Sequence, residues 1–143
     1  MSRKEARDSA FQLIYERITT GGQNALTFEA FKEQNAGESE YLSKAYFGVC
    51  ERMDFLQSAV ARYAVDFRAE RIYKVDMSLM LLAAYEILFM PDIPDRVAVN
   101  EALELVKLYS AEKSSGFVNG VLAAVIANKE ALAYEYEHPE EEN

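Results

Sequence analysis

The sequence has one cysteine, one histidine, three prolines and no tryptophan in 143 residues. One cysteine excludes an internal disulfide, which is typical of a protein in a reducing cytoplasm. Cys50 has no histidine near it, so we expect an inert, buried thiol. The single histidine, His138, lies beside Pro139 near the end of the chain. A histidine-centred catalytic triad and a histidine metal cluster are therefore excluded.

Long apolar runs are also missing. No stretch approaches the 18 or so consecutive apolar residues that a membrane-spanning helix needs. The opening stretch "MSRKEARDSAF" is charged and lacks an apolar core followed by a cleavage site. It does not read as a secretory signal. We therefore expect a cytoplasmic protein with no membrane partner.

The charge is negative overall and unevenly placed. The net charge is −9, and the segment 130–143 holds six glutamates with no lysine or arginine. The first seven residues instead hold three cations against one glutamate. Local patches decide phosphate binding more than totals do, so a nucleic-acid partner is not excluded. Solvated, fraying ends are the alternative reading of both charged termini.

Helical periodicity covers almost the whole chain, and no convincing strand alternation appears. The pattern predicts an all-α bundle of six or seven helices, which we expect to form one domain over residues 1–129, followed by an acidic tail over 130–143. Helices are expected at about 3–18, 27–34, 40–67 with a break near Met53–Asp54, 75–90, 95–110 and 116–134. The segment "VDMSLMLLAAYEILFM" is apolar nearly all round, so it should be the buried central helix.

The residues give no sign of catalysis. Without strands there is no glycine-rich loop between strand and helix to cradle a nucleotide. Glu101 and Glu104 could share a helix face, but three or more convergent ligands are lacking, so a solvated face is the better reading. We therefore predict a binding protein, not an enzyme, with no cofactor and no metal.

The first helix combines cations with aromatic rings. At about 100° per residue, the three cations within its first five residues and the rings of Phe11 and Tyr15 share roughly a third of the circumference. Cations that hold phosphates beside a ring that stacks on a base are what single-stranded RNA requires. The alternative is that both rings enter the core beneath frayed basic residues.

Two asparagines, Asn100 and Asn119, fall inside apparently apolar helical stripes. A buried amide needs partners for its donors and acceptor, so we expect each to gain them. For Asn100 we expect an architectural role. For Asn119, which precedes Gly120, packing and ligand binding stay open. The connector "AEKSSGF" could present hydroxyls and backbone amides to a phosphate or serve as an ordinary cap.

Four stretches in order carry a family resemblance: "ARDSAFQLIYE", "VDMSLMLLAAYEIL", "IPDRVAVNEALELVK" and "FVNGVL". With these stretches the chain closely resembles the NusB family of bacterial transcription antitermination factors, up to about Asn128. The resemblance implies two small helical subdomains packed as one unit. It also implies binding of boxA leader RNA together with NusE, a small-subunit ribosomal protein, within the RNA polymerase antitermination complex at ribosomal RNA operons.

The resemblance also implies site residues. RNA-binding positions fall on Arg3, Lys4, Arg7, Tyr15, Lys113, Ser114, Phe117 and Asn119. Partner-binding positions fall on Asp76 and Glu112. The chain departs from the family pattern at Leu81, where an arginine is common, and its basic cluster is thinner and includes Glu5. We therefore expect NusE to supply part of the RNA contact.

Two rival readings stay open. The first is a protein–protein adaptor that has the same fold and little RNA affinity of its own, which the net acidity favours. The second is the N-terminal RNA-binding part of a ribosomal RNA cytosine methyltransferase, since similar helical domains occur there. The second reading requires a cofactor-binding domain beyond Asn143.

Overall fold

The computed structural model describes residues 2–64 and 71–141, and within these ranges the chain forms eight α-helices and no strand. The all-α prediction is confirmed. The helices are α1 (Arg3–Thr20), α2 (Ala25–Gln34), α3 (Ser39–Glu51), α4 (Met53–Tyr63), α5 (Lys74–Phe89), α6 (Asp95–Tyr109), α7 (Ser114–Ala127) and α8 (Lys129–Glu137). Two short 3-10 turns, Ala36–Glu38 and Pro139–Glu141, complete the described elements.

The helix count is one higher than the sequence predicts because the last predicted helix is divided at Asn128. Its side-chain amide donates to the carbonyl of Ala124 at 2.8 Å, and its backbone leaves the helical region at φ −111° and ψ 21°. Asparagine competes with the helix for backbone hydrogen bonds, which ends α7 there. The predicted break near Met53 is observed at Arg52. The predicted end at Phe67 lies outside the described residues.

Capping at both ends sets the bounds of α1. The Ser2 hydroxyl accepts from the Glu5 amide, and the Glu5 carboxylate accepts from the Ser2 amide, so the helix begins with a capping box. At the other end Gly21 has φ 84°, a left-handed conformation that glycine adopts without a side-chain penalty. These caps hold the basic first turn in a fixed helical geometry.

Helix α5 is the centre of the molecule. Every residue from Asp76 to Ile87 is buried, and the helix contacts α1, α3, α4, α6, α7 and α8. The prediction of a buried central helix is therefore confirmed. Helices α1–α3 pack on one another, α4 and α6–α8 form the second group, and α5 joins the two groups. This arrangement agrees with two packed subdomains.

The segment from 130 to 137 differs from the solvated tail that its glutamates suggest. It forms most of α8, in which Leu132 is fully buried and the Tyr136 ring lies 5.0 Å from that of Phe55. Glu135 makes a two-pronged ion pair with Arg62, at 2.9 and 3.0 Å. Apolar residues every few positions thus attach this acidic segment to the body. Residues 142–143 of the predicted tail lie outside the described residues.

Candidate nucleic-acid interface

The first turn of α1 presents two cations at the surface, and both have acidic partners. Arg3 Nη2 lies 3.0 Å from Glu38 Oε1, and its guanidinium lies 4.4 Å from the centre of the Tyr41 ring. Lys4 Nζ lies 3.2 Å from Glu101 Oε1. The side chains of Arg3 and Lys4 are 41% and 65% exposed, so solvent and a ligand can reach both.

Arg7 occupies a different environment from the one the helical pattern suggests. It is 5% exposed, and its Nε donates to Glu86 Oε2 at 2.9 Å. Its Nη1 lies 3.8 Å from Glu101. The expectation of three exposed cations is therefore corrected to two. Arg7 is held inside by a carboxylate of α5, 79 positions along the chain.

The buried ion pair is part of a three-residue cluster. The Tyr41 hydroxyl donates to the same Glu86 oxygen that Arg7 contacts, while Glu86 Oε1 has no hydrogen-bond partner among the described residues. Burial, and then the Glu86 charge, raises the pKa of Tyr41, so its hydroxyl remains a donor. Burial alone lowers the pKa of Arg7, but negative charge around the guanidinium, which includes the carboxylates of Glu86 and Glu101, outweighs that effect and raises the pKa. The guanidinium therefore stays charged.

The two rings of α1 divide between core and surface. Phe11 is 3% exposed, whereas Tyr15 is 37% exposed. The Phe11 ring lies 6.4 Å from Tyr15 and 4.8 Å from Tyr109, at the end of α6. The Tyr109 hydroxyl donates to Asp8 at 2.7 Å. Sequence reasoning missed Tyr109 because nothing in the local pattern places the end of α6 beside α1.

The connector between α6 and α7 is fixed by Asp76. One carboxylate oxygen accepts from the Ser110 hydroxyl at 2.6 Å and the other from the Ser114 hydroxyl at 2.8 Å. Asp76 is 3% exposed, so its predicted position at a partner surface is corrected to one just beneath it. No side chain caps the start of α5, so Asp76 makes no capping bond there. Its observed effect is to hold the connector against α5.

A surface cavity lies beside this connector. It has a volume of about 260 Å³, and Lys113, Ser114 and Phe117 line it together with Arg71 and Tyr73. Tyr73 is 58% exposed. Lys113 is exposed and makes no ion pair with any residue in the described ranges. Arg71 and Tyr73 escaped sequence reasoning, although the stretch "RIYK" does combine cations with a ring.

The two asparagines are exposed, so the expectation of buried amides was wrong for both Asn100 and Asn119. In the part of the chain that the structure describes, no atom outside the local backbone of α7 lies within 4 Å of the position that a Cβ of the neighbouring Gly120 would take, so no other backbone packs closely there. Helix α7 is apolar on most sides, which hid its exposed edge from a periodicity argument. Asn119 therefore lies on the surface, and it is not among the residues that line the cavity.

Other kinds of site find little support in the described ranges. Residues 2–64 and 71–141 bring no three of the side chains His, Cys, Asp and Glu into an arrangement able to hold a metal ion. Among the helices of these ranges, none is long and apolar enough to span a bilayer. Cys50 is half-buried, and burial raises the pKa of its thiol.

Comparison with known proteins identifies the family. The family model described as the NusB family matches residues 4–127. The chain belongs to the NusB family. The transcription antitermination protein NusB of Clostridium acetobutylicum is 36% identical over 133 residues, which cover 91% of this chain and 98% of that protein.

Solved NusB structures share the fold. T. maritima NusB is 26% identical and superposes with a TM-score of 0.78, covering 89% of this chain and 92% of its own. A crystal structure of antitermination factors NusB and NusE in complex with dsRNA matches with a TM-score of 0.77 at 26% identity. That match covers 87% of this chain and 96% of the other. This chain thus has the NusB fold.

Proposed function

We propose that this chain is an RNA-binding transcription antitermination factor. It binds boxA leader RNA together with NusE, a small-subunit ribosomal protein, and promotes processive transcription of ribosomal RNA operons within the RNA polymerase antitermination complex. The observation that carries the proposal is the similarity, over 87% of this chain, to a structure of NusB and NusE in complex with dsRNA. The protein acts by binding rather than catalysis, in the cytoplasm where bacterial transcripts are made.

We propose that the RNA follows two exposed patches. The first consists of Arg3, Lys4 and Tyr15, in which cations can contact phosphates and the phenol ring can stack on a base. The second lies around the 260 Å³ cavity, with Lys113 and Phe117. Ser114, whose hydroxyl is bound to Asp76, fixes the backbone of this second patch, and the exposed Asn119 lies on the same helix.

The two patches are joined along the chain. Tyr109 belongs to the aromatic cluster near Tyr15, and the next residue, Ser110, binds Asp76 beside the second patch. We propose that Glu112, exposed on this connector, faces NusE, and that Asp76 positions the connector for that contact. A rigid connector lowers the ordering entropy that binding would otherwise require.

The charge balance explains why a partner is part of the proposal. Arg3 and Lys4 each form an ion pair with a carboxylate, so few cations remain for phosphate contacts. Each phosphate contact to a single strand contributes roughly −0.7 to the slope of log affinity against log salt. We therefore expect a shallow slope for this chain alone and a steeper one when NusE contributes its own contacts.

Replacing Tyr15 with alanine is expected to weaken boxA binding about tenfold in the presence of NusE, because stacking of one base on an aromatic ring contributes roughly 1–3 kcal/mol. The Tyr15→Phe variant keeps the ring and should bind like the wild type. The Tyr134→Ala variant removes an exposed tyrosine from α8 and should also leave binding unchanged. Fluorescence anisotropy with labelled boxA and a scrambled RNA measures all four proteins. Equal affinity of the wild type for the two RNAs would overturn the proposed function.

One observation favours the adaptor as a second candidate: Arg7 is buried, and Arg3 and Lys4, the cations of the first turn of α1, are ion-paired. In that case the protein binds NusE with little RNA affinity of its own. Arg3→Ala combined with Tyr15→Ala separates the two functions, since both residues are at least one-third exposed. If the chain is an RNA-binding protein, this double variant loses affinity for boxA and still binds NusE. If the chain is an adaptor, the variant assembles with NusE and boxA as the wild type does.

A further inference from the structure

A groove runs between the first turn of α1 and the start of α6. Its volume is about 320 Å³, and its walls carry charges of both signs. Arg3, Lys4 and Arg7 lie on the α1 side and Glu101 on the α6 side, and Asp92 also lines the groove. Apolar side chains complete the lining: Ile93, Pro94 and Val97.

The carboxylate of Glu101 bridges two of these cations. Its Oε1 lies 3.2 Å from Lys4 Nζ and 3.8 Å from Arg7 Nη1. An anionic oxygen held between a lysine and an arginine is also how proteins bind a phosphodiester oxygen. The Glu101 carboxylate therefore occupies, in this structure, the position that suits an anionic oxygen of a ligand.

We propose that this groove binds one backbone phosphodiester of the RNA and that Glu101 competes with it, so that RNA binding requires the displacement of Glu101 from Lys4 and Arg7. The inference rests on the proposed function. It assigns a role to a residue that neither the cationic cluster nor the family resemblance singles out.

Glu101 is more easily displaced by a phosphate than the other carboxylates around these cations. Glu86 is 1% exposed and also accepts from the Tyr41 hydroxyl, so its position is fixed. Glu38 pairs with Arg3 outside the groove. The Glu101 side chain is 24% exposed, and its ion pairs within the described ranges are those to Lys4 and Arg7. The Glu101 side chain can therefore rotate into the solvent while the Glu86 carboxylate holds Arg7 in place.

Competition of this kind lowers RNA affinity without blocking binding. A partly exposed ion pair is weak, so the carboxylate should reduce affinity about threefold to fivefold. Removing its charge also frees one cation for a phosphate, which should steepen the salt slope by roughly 0.7. Because every RNA carries the same phosphodiester, Glu101 should lower the affinity for boxA and for unrelated RNA alike.

The Glu101→Gln variant tests the proposal because it removes the charge and keeps the shape. We expect boxA affinity, with NusE present, to rise about threefold to fivefold and the salt slope to steepen by roughly 0.7. Glu104→Gln is the matched control, since it removes one carboxylate from the same helix. In the described structure the ion pair of Glu104 is with Lys107, one turn further along α6. If the two variants behave alike, or if Glu101→Gln weakens binding, the competition is disproved.

A second measurement separates this inference from the proposed function. Pyrophosphate is titrated into the isotopically labelled chain, and the amide resonances of Arg3, Lys4 and Arg7 are followed by NMR. Tighter pyrophosphate binding by Glu101→Gln than by Glu104→Gln supports the groove even if boxA is not recognised. Equal pyrophosphate binding, alongside normal boxA recognition by the wild type, overturns the groove and leaves the proposed function standing.

Discussion

The Glu86→Ala variant is expected to lose about 3–5 kcal/mol in the free energy of unfolding. The substitution leaves the Arg7 guanidinium, 5% exposed, without its nearest carboxylate and leaves the Tyr41 hydroxyl without an acceptor. Removing one partner of a buried pair costs this much because the remaining charge stays desolvated. Urea unfolding followed by circular dichroism measures the change.

The triple variant Arg7→Met, Tyr41→Phe and Glu86→Leu provides the control. It removes both charges together with the hydroxyl that donates to Glu86, and we expect it to fall within about 1 kcal/mol of the wild type or above it. Glu86 Oε1 has no hydrogen-bond partner in the described structure, so the native pair is not fully satisfied and apolar replacement loses little. A loss below about 1 kcal/mol in Glu86→Ala would show that water reaches Arg7, contrary to its observed burial.

The burial of Arg7 shows which features of the site can be predicted from the sequence and which cannot. Helical periodicity places Arg7 at the border between the apolar and polar faces of α1, and the same pattern predicts the burial of Ala10, Leu13 and Ile14, which the structure confirms. Whether a border arginine is exposed depends on what packs opposite. Here the opposing residue is Glu86, and no local pattern indicates that contact.

The connector between α6 and α7 shows the same limit: local composition predicts a polar link but not its tertiary hydrogen bonds. The spacing and composition of "AEKSSGF" predict a polar link between two helices, and the structure has one. The bonds from Ser110 and Ser114 to Asp76 require α5, α6 and α7 to be in place together. The family resemblance therefore predicts Lys113 and Phe117 at this patch but misses Tyr73, which lines the same cavity. The division of these residues into buried and exposed members follows from packing.

Helix α7 shows a third limit. Its run of apolar and small residues gives little contrast between its faces, and the exposed Asn119 was expected to be buried. By contrast, α5 is apolar all round and has no exposed face to locate, so its central position could be predicted from composition alone. Periodicity is thus most informative for helices with one clear polar face.

The Gly48→Ala variant is expected to lose about 3 kcal/mol in the free energy of unfolding, at the upper end of typical overpacking. A Cβ at this position would lie 2.2 Å from Cζ of Tyr85. Tyr85 is buried and its ring stacks on Phe89 at 5.4 Å, so it cannot swing aside. The Phe89 ring lies 5.0 Å from that of Tyr136, so we also expect faster amide exchange in α8.

Gly120→Ala is the matched control, because it makes the same change inside a helix where a Cβ would meet nothing within 4 Å. There the loss of backbone freedom in the unfolded chain should stabilise the protein by roughly 0.5–1 kcal/mol. The two variants are thus expected to change the free energy of unfolding in opposite directions. This difference separates the effect of the contact with Tyr85 from the general effect of replacing a helical glycine. A neutral or stabilising Gly48→Ala would mean that α3 and α5 can move apart, and close packing of these two helices would then not be what positions Tyr41 and Glu86 around Arg7.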